Sequence, residues 1–183
     1  MNNKISLGII AGLIAIILVL AGIVVYQNIE KPKKEAITGS ATDIQKIIEE
    51  IMPRGIPEYG NNAGVSFDNV EQSLSVLVQY ANLQLNEAEQ QRYEEIASVE
   101  GTACSYCCGA TRLDQNCGCS HNIALQGLVK WLIKNTNYSD EQILKEVRNW
   151  QIVFFPQPAL EEELQKRNIN PEAYGLPSMR GGC

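Results

Sequence analysis

The chain begins with a long apolar run and continues with shorter segments in which apolar residues recur at helical spacing. Residues 5–26 carry no charge and are mostly Ile, Leu, Val, Ala and Gly. At about 1.5 Å per residue, a helix of this length spans a hydrocarbon layer about 30 Å thick. The pattern predicts an N-terminal stub over residues 1–4 and a single transmembrane helix over residues 5–26, with the lipid bilayer as its partner.

The residues around this helix bear on its orientation and pairing. Lys4 precedes the helix and three lysines follow it between Lys31 and Lys34, so the positive charges do not fix the topology. A short stub followed at once by an apolar run is typical of a signal anchor. We therefore expect a single-pass membrane protein with an extracytoplasmic domain. Gly8 and Gly12 form a G-x-x-x-G pattern, through which two copies of the helix can pair as a homo-oligomer.

After a charged, proline-containing linker over residues 27–41, the pattern changes to a soluble domain over residues 42–183. Apolar residues recur there at intervals of three and four, which is typical of amphipathic helices. The positions in question are Ile44, Ile47, Ile48 and Ile51, then Val70, Leu74, Leu77, Ala81 and Leu85, then Ala124, Leu125, Leu128, Trp131 and Leu132, and finally Ile143, Leu144, Val147 and Trp150.

Helix-start signals precede several of these runs. They are Asp68 with Glu71, Asn86 with Glu89, Ser120, Ser139 with Gln142, and Pro158. On the helix after Ser120, His121 falls on the apolar side, and Gln126, Lys130 and Lys134 are predicted to face water. Residues 151–155 alone suggest a strand. The predicted fold class is mainly α: a transmembrane helix followed by an irregular helical domain with a Cys/His-rich loop.

Charge and composition narrow the function classes. The formal net charge is −6, and acidic residues outnumber basic ones between Asp43 and Glu100, so no nucleic-acid partner is expected. The chain has one histidine, which lies beside the cysteines, so a hydrolytic mechanism would have to recruit it from that cluster. We assign no catalytic residue, and the composition gives no support for an enzyme.

The sequence is most informative between residues 104 and 121, where five of the six cysteines and the single histidine form a C-x-x-C-C…C-x-C-x-H pattern. Thiolates two or three residues apart can converge on one soft cation without straining the backbone. The candidate metal ligands are Cys104, Cys107, Cys108, Cys117, Cys119 and His121.

A tetrahedral zinc site needs only four of these six side chains. The set we expect is Cys104, Cys107 and Cys117 with either Cys119 or His121, around Zn²⁺. Cu⁺ or an iron–sulfur cluster would use more of the sulfur atoms, and the spacing does not choose among the three. The role predicted for such a site is structural or metal handling.

Two other interpretations stay open. Six cysteines can form disulfides, which would make the domain a disulfide-stapled surface or interaction protein. Cys104 and Cys107 can instead act as the C-x-x-C pair of a membrane-tethered thiol–disulfide oxidoreductase. Cys183 follows two glycines, and it can join the cluster, link two chains or do neither.

Most of the soluble part resembles small archaeal membrane-anchored proteins of unassigned function. The segments that carry this resemblance are GVSFD from Gly64, CSYCCG from Cys104, CGCSHNIALQGLVKWLI from Cys117 and FFP from Phe154. The resemblance implies a domain built around the Cys/His cluster. It implies no activity, no catalytic residue and no particular metal.

Overall fold

A computed structural model describes residues 41–104 and 108–169, all of which belong to one compact unit, Ile37–Cys183. Every regular element in these ranges is a helix, which confirms the mainly α prediction. The helices are α1 (Ala41–Ile51), α2 (Gly60–Ala63), α3 (Val70–Tyr80), α4 (Glu87–Ala97), α5 (Ser120–Asn135), α6 (Asp140–Phe154) and α7 (Pro156–Lys166).

The transmembrane helix predicted over residues 5–26 lies outside the described residues, as do Gly8, Gly12 and Cys183. Among the helices of residues 41–104 and 108–169, none has the length and apolar character needed to cross a bilayer.

Two of the predicted helix starts are confirmed as reciprocal caps. Asn86 accepts a hydrogen bond from the backbone N–H of Glu89 and the Glu89 carboxylate accepts one from the N–H of Asn86, so α4 begins where the sequence places it. Ser139 and Gln142 form the same arrangement at the start of α6. Such caps satisfy N–H groups that have no partner within the helix.

The predicted cap at Asp68 is wrong. Its carboxylate accepts a hydrogen bond from the backbone N–H of Gly55, 13 residues earlier, and α3 begins only at Val70. Asp68 therefore fastens the preceding loop rather than the helix. Because α3 ends at Tyr80, Leu85 is not on this helix, contrary to the prediction.

The long helix α5 packs against α3, α4 and α6 and forms the centre of the main hydrophobic core. Leu125, Leu128 and Leu132 are fully buried, which confirms the predicted apolar face. The contact with α3 is close because Gly127 has no side chain: a Cβ there would lie 1.9 Å from the backbone oxygen of Leu77.

Two predictions about the surroundings of α5 and α6 are wrong. Residues 151–155 are not a strand, because α6 runs through Phe154 and the N–H of Phe155 still donates to the carbonyl of Gln151 at 2.8 Å. The side of α5 predicted to face water is partly covered. Lys130 donates to the carbonyl of Ala81 at 2.6 Å and lies over the ring of Tyr93, because α4 and its preceding loop pack there.

A second, smaller apolar cluster joins the first and last described helices. Ile47 of α1 is buried with Leu160 and Leu164 of α7, and an ion pair between Arg167 and Glu50 lies at its edge. This cluster fixes the N-terminal end of the domain to α7, whose first turns also border the Cys/His segment.

Candidate metal centre

The described Cys/His residues lie between α4 and α5 and in the first turn of α5. Backbone hydrogen bonds fold this segment back on itself: the N–H of Gly101 donates to the carbonyl of Thr111 at 2.8 Å, and that of Ala103 to the same carbonyl at 3.3 Å. The hydroxyl of Thr102 accepts from the N–H of Leu113 at 3.1 Å. The segment is therefore a closed loop.

Side chains from two helices hold this loop in place. The Gln151 amide of α6 donates to the carbonyls of Gly101 and Ala103, at 2.8 and 2.9 Å. The Asn122 side chain of α5 accepts a hydrogen bond from the backbone N–H of Cys104 at 3.4 Å. Because α5 and α6 belong to the main core, the position of Cys104 is set by the fold as a whole.

Three of the six candidate ligands come together at this point. The Sγ atoms of Cys104 and Cys119 are 3.8 Å apart, and the Sγ atom of Cys119 is 3.6 Å from Nδ1 of His121. Cys104 and His121 are buried, and Cys119 is partly exposed. The inward orientation predicted for His121 is confirmed. The sequence analysis predicted either Cys119 or His121 as a ligand; in the fold Cys119 contacts Cys104, and His121 contacts Cys119.

The imidazole of His121 is enclosed by aromatic rings. Its centroid lies 4.9 Å from that of Phe154 and 5.0 Å from that of Phe155. Phe154 is the last residue of α6 and Phe155 connects α6 to α7, so the two phenylalanines of the FFP sequence form the apolar wall of the site. These contacts limit rotation of the imidazole.

Two other candidate ligands are joined to each other. Cys108 and Cys117 form a disulfide across the loop, with their Cα atoms 6.0 Å apart. A disulfide sulfur is not a thiolate, so in this oxidation state neither cysteine is available as a ligand. Cys117 is therefore a disulfide partner in this structure and not the metal ligand that the sequence predicted. Cys104 and Cys119 are not joined to each other, since their Sγ atoms are 3.8 Å apart.

Cys107, the remaining candidate, lies outside the described residues. Within residues 41–104 and 108–169, no group of three or more Cys, His, Asp or Glu side chains is placed so that it could hold a metal ion. A site that uses Cys104, Cys119 and His121 would therefore need a ligand from outside these ranges. The prediction that all six residues are ligands stays a prediction.

The local electrostatics favour negative charge on sulfur. Cys119 is the N-cap residue of the 16-residue helix α5, whose first turn contains no acidic side chain. Unpaired N–H groups give a helix N-terminus a partial positive charge, which stabilises a thiolate relative to a thiol. A thiolate is the form of cysteine that binds metals.

A cavity of about 300 Å³ adjoins the site on the side of Cys104. Phe155 and Ala159 form its apolar side, and Arg148 and Glu162, which are hydrogen-bonded to each other, lie at its polar side. Hydrogen bonds from Lys166 and Arg148 lower the pKa of Glu162. The cavity gives small molecules a route to the neighbourhood of the Cys104 side chain.

Sequence reasoning missed Asn122 and Gln151, the two polar residues that position the loop. Both are buried on otherwise apolar helix faces: Asn122 precedes Leu125 by three residues, and Gln151 follows Trp150. The sequence signal that could have identified them is a polar residue at a position where the helical pattern predicts an apolar one. In the described part of the chain, Asn122 Nδ2 is a buried side-chain atom that lacks a hydrogen-bond partner.

No family model, curated protein or solved structure matches this chain.

Proposed function

We propose that this chain is a membrane-anchored metal-binding protein in which Cys104, Cys107, Cys119 and His121 hold one Zn²⁺ ion. The observation that supports this assignment is the pair of distances about Cys119 Sγ: 3.8 Å to Cys104 Sγ and 3.6 Å to His121 Nδ1. The transmembrane helix predicted over residues 5–26 is the anchor.

The two distances match the edges of a zinc tetrahedron. With Zn–S near 2.3 Å, Zn–N near 2.05 Å and tetrahedral angles, the S···S edge is about 3.8 Å and the S···N edge about 3.6 Å. Sulfur atoms in ordinary hydrogen-bond or van der Waals contact reach the same separations, so the two distances are compatible with a shared ion but do not require one. A direct disulfide between Cys104 and Cys119 would instead need a separation of about 2.05 Å.

Cys107 is assigned as the fourth ligand from the sequence. It follows Cys104 at the C-x-x-C spacing typical of zinc sites. Cys108, adjacent to it, is held in the disulfide with Cys117, which takes both of those cysteines out of the ligand set. The mixed sulfur and imidazole donor set suits Zn²⁺ better than an iron–sulfur cluster, which is usually ligated by thiolates alone.

The burial of two proposed ligands favours a structural role for the ion. Cys104 is 1% exposed and His121 0%, so bulk water has little access to these two donors. The ion would join the loop before α5 to α5 itself, beside the aromatic wall of Phe154 and Phe155. The adjoining cavity is the route by which the ion or a chelator reaches the site.

The disulfide supports the predicted extracytoplasmic location of the domain. Disulfides persist in oxidising compartments and are rare in the cytosol of most organisms. Labelling of intact and permeabilised cells with a membrane-impermeant maleimide, after mild reduction, tests this. Labelling of Cys108 in intact cells is expected; labelling only after permeabilisation would place the domain in the cytoplasm.

The proposed site is tested by the zinc content and zinc affinity of the full-length chain in detergent, with variants. One zinc per chain is expected for the wild type. Cys104→Ser, Cys119→Ser and His121→Ala should each weaken binding at least about 10-fold, because each removes a direct ligand. The matched control is the double variant Cys108→Ser/Cys117→Ser, which should still bind one zinc. Wild-type affinity in all three single variants would refute the assignment.

A further inference from the structure

The two ends of the Cys108–Cys117 disulfide lie in different surroundings. Cys108 is exposed to solvent, whereas Cys117 is 5% exposed and is buried with Ala103 and Ala110. A thiolate arriving from solution therefore has better access to Cys108 than to Cys117. Exchange reactions depend on which of the two sulfur atoms is accessible.

The surface around this bond is also open. Each cysteine is followed by an exposed glycine, Gly109 and Gly118. A Cβ added at either glycine would meet nothing within 4 Å among the described residues. At Gly118 the backbone does not require glycine either, since its φ is not in the left-handed region. The absence of side chains there leaves room for a partner to approach the disulfide.

The buried end of the bond lies beside the proposed metal ligands. Cys119 packs against the cluster formed by Ala103, Ala110 and Cys117. Cleavage of the bond therefore releases the Cys117 sulfur next to Cys119.

We propose that the Cys108–Cys117 disulfide is a thiol–disulfide exchange site whose partner is a protein dithiol. One thiolate of the partner attacks Sγ of Cys108, forming a mixed disulfide, and the Cys108–Cys117 bond breaks with Cys117 leaving as a thiolate. The second thiolate of the partner then attacks the partner's own sulfur in the mixed disulfide and releases Cys108. The partner becomes a disulfide, and this chain gains two thiols.

Reduction changes the neighbourhood of the metal site. It releases Cys117 as a further thiolate beside Cys119, and it opens the loop that the disulfide closes. The exchange step does not depend on the metal, but this consequence rests on the proposed function. Zinc is expected to bind the reduced chain more tightly, and by linkage zinc must then favour reduction by the same factor.

The first experiment identifies the sulfur that is attacked. Full-length chain in detergent is treated briefly with N-acetylcysteine, quenched with acid and mapped by mass spectrometry. The adduct is expected on Cys108. An adduct on Cys117, or reduction only after the chain has been unfolded in urea, would overturn the proposal, because the bond would then be a purely structural one.

The second experiment uses Gly118→Val, which adds bulk at the open surface. Reduced thioredoxin is the protein dithiol and dithiothreitol the small one. Reduction by thioredoxin should slow at least about fivefold, because exchange depends on access to the attacked sulfur, whereas reduction by dithiothreitol should stay within about twofold. Equal thioredoxin rates for variant and wild type would contradict docking at this surface.

The third experiment separates this inference from the proposed function. The ratio of reduced to oxidised dithiothreitol that half-reduces the bond is measured with and without saturating zinc. If zinc binds the reduced chain tenfold more tightly, the midpoint ratio falls about tenfold. An unchanged midpoint would refute the link to the metal. A chain that binds no zinc but exchanges at Cys108 would refute the proposed function and leave the exchange site standing.

Discussion

The Sγ atom of Cys104 lies 3.8 Å from the Sγ atom of Cys119, although the two cysteines are 15 residues apart in the sequence. Helices α5 and α6 bring them together: Asn122 and Gln151 hold the loop that carries Cys104, and Cys119 is the N-cap of α5. The arrangement of the sulfur atoms is thus a property of the folded domain, and substitutions distant from sulfur should affect it.

Asn122 gives the most direct test of this dependence. In Asn122→Ala the N–H of Cys104 loses its acceptor, so the sulfur is less firmly positioned. We expect zinc affinity to fall about 10- to 100-fold, while one zinc per chain is still bound at saturation. Competition with a chromophoric chelator measures both. Asn135→Ala, at the far end of the same helix, should leave the affinity unchanged; an equal loss there would indicate a general effect on α5.

Removal of the metal should loosen the loop without unfolding the domain. The main core, which packs α5 against α3, α4 and α6, includes Cys104 and contacts Cys119, but most of its buried side chains are aliphatic or aromatic and pack against one another without the ion. After chelation, circular dichroism should retain most of its helical signal, and Cys104 and Cys119 should become reactive toward iodoacetamide. Loss of the helical signal on chelation would show that the ion holds the whole fold.

Gly127 should be intolerant of even a methyl group. Gly→Ala inside a helix ordinarily stabilises by about 0.5–1 kcal/mol. At Gly127, however, the added Cβ would lie 1.9 Å from the oxygen of Leu77 and 2.8 Å from the nitrogen of Ala81, so α3 and α5 must separate. We expect Gly127→Ala to lower the free energy of unfolding by at least about 2 kcal/mol in urea titrations.

The control for this variant is Gly118→Ala. No described residue lies within 4 Å of the added Cβ, and the position is exposed. Its free energy of unfolding should change by less than about 0.5 kcal/mol. A stable Gly127→Ala variant would mean that the contact between α3 and α5 is looser than the structure places it.

Tyr59 links the loop before α2 to α6. Its hydroxyl accepts a hydrogen bond from the indole N–H of Trp150 at 2.7 Å and donates to the Glu146 carboxylate at 3.2 Å. Tyr59→Phe leaves the buried indole N–H unpaired, which should cost about 1–3 kcal/mol of unfolding free energy. Tyr138→Phe removes a hydroxyl that donates a hydrogen bond to the exposed carboxylate of Glu58, and it should cost less than about 0.5 kcal/mol.

Because Tyr59 is buried, we expect the domain to lose unfolding free energy at alkaline pH. Burial, reinforced by the negative charge of Glu146, raises the pKa of Tyr59 well above its usual value. The unfolded chain ionises this group near pH 10 and the folded chain does not, so its contribution is complete below about pH 10 and is lost as the pH rises further. Urea unfolding should therefore show a steeper decline above about pH 10 in the wild type than in Tyr59→Phe.

The helices were largely predictable because their signals are local. Two reciprocal caps, at Asn86 and Ser139, and the apolar face of α5 follow from residues three and four positions apart. His121 was placed on the inward face by the same periodicity. The strand predicted over residues 151–155 was wrong because a short apolar run fits a buried strand and the last turn of a buried helix equally well.

The combination of sulfur atoms was not predictable from spacing. Six candidate ligands within 18 residues allow many sets of four, and the choice depends on contacts with helices that lie elsewhere in the sequence. We predicted from the sequence that Cys117 is a metal ligand, but in the structure it forms a disulfide with Cys108. Asn122 and Gln151, which determine that geometry, carry no motif of their own.

Zinc K-edge X-ray absorption of the full-length chain measures the proposed ligand set itself. A site formed by three cysteines and His121 should give a first shell of sulfur at about 2.3 Å with one imidazole nitrogen at about 2.0–2.1 Å. The imidazole contribution should be lost in His121→Ala, and the sulfur count should fall in Cys119→Ser but not in Cys108→Ser/Cys117→Ser. A shell of oxygen and nitrogen alone, or a sulfur count that falls only in the double variant, would contradict this ligand set.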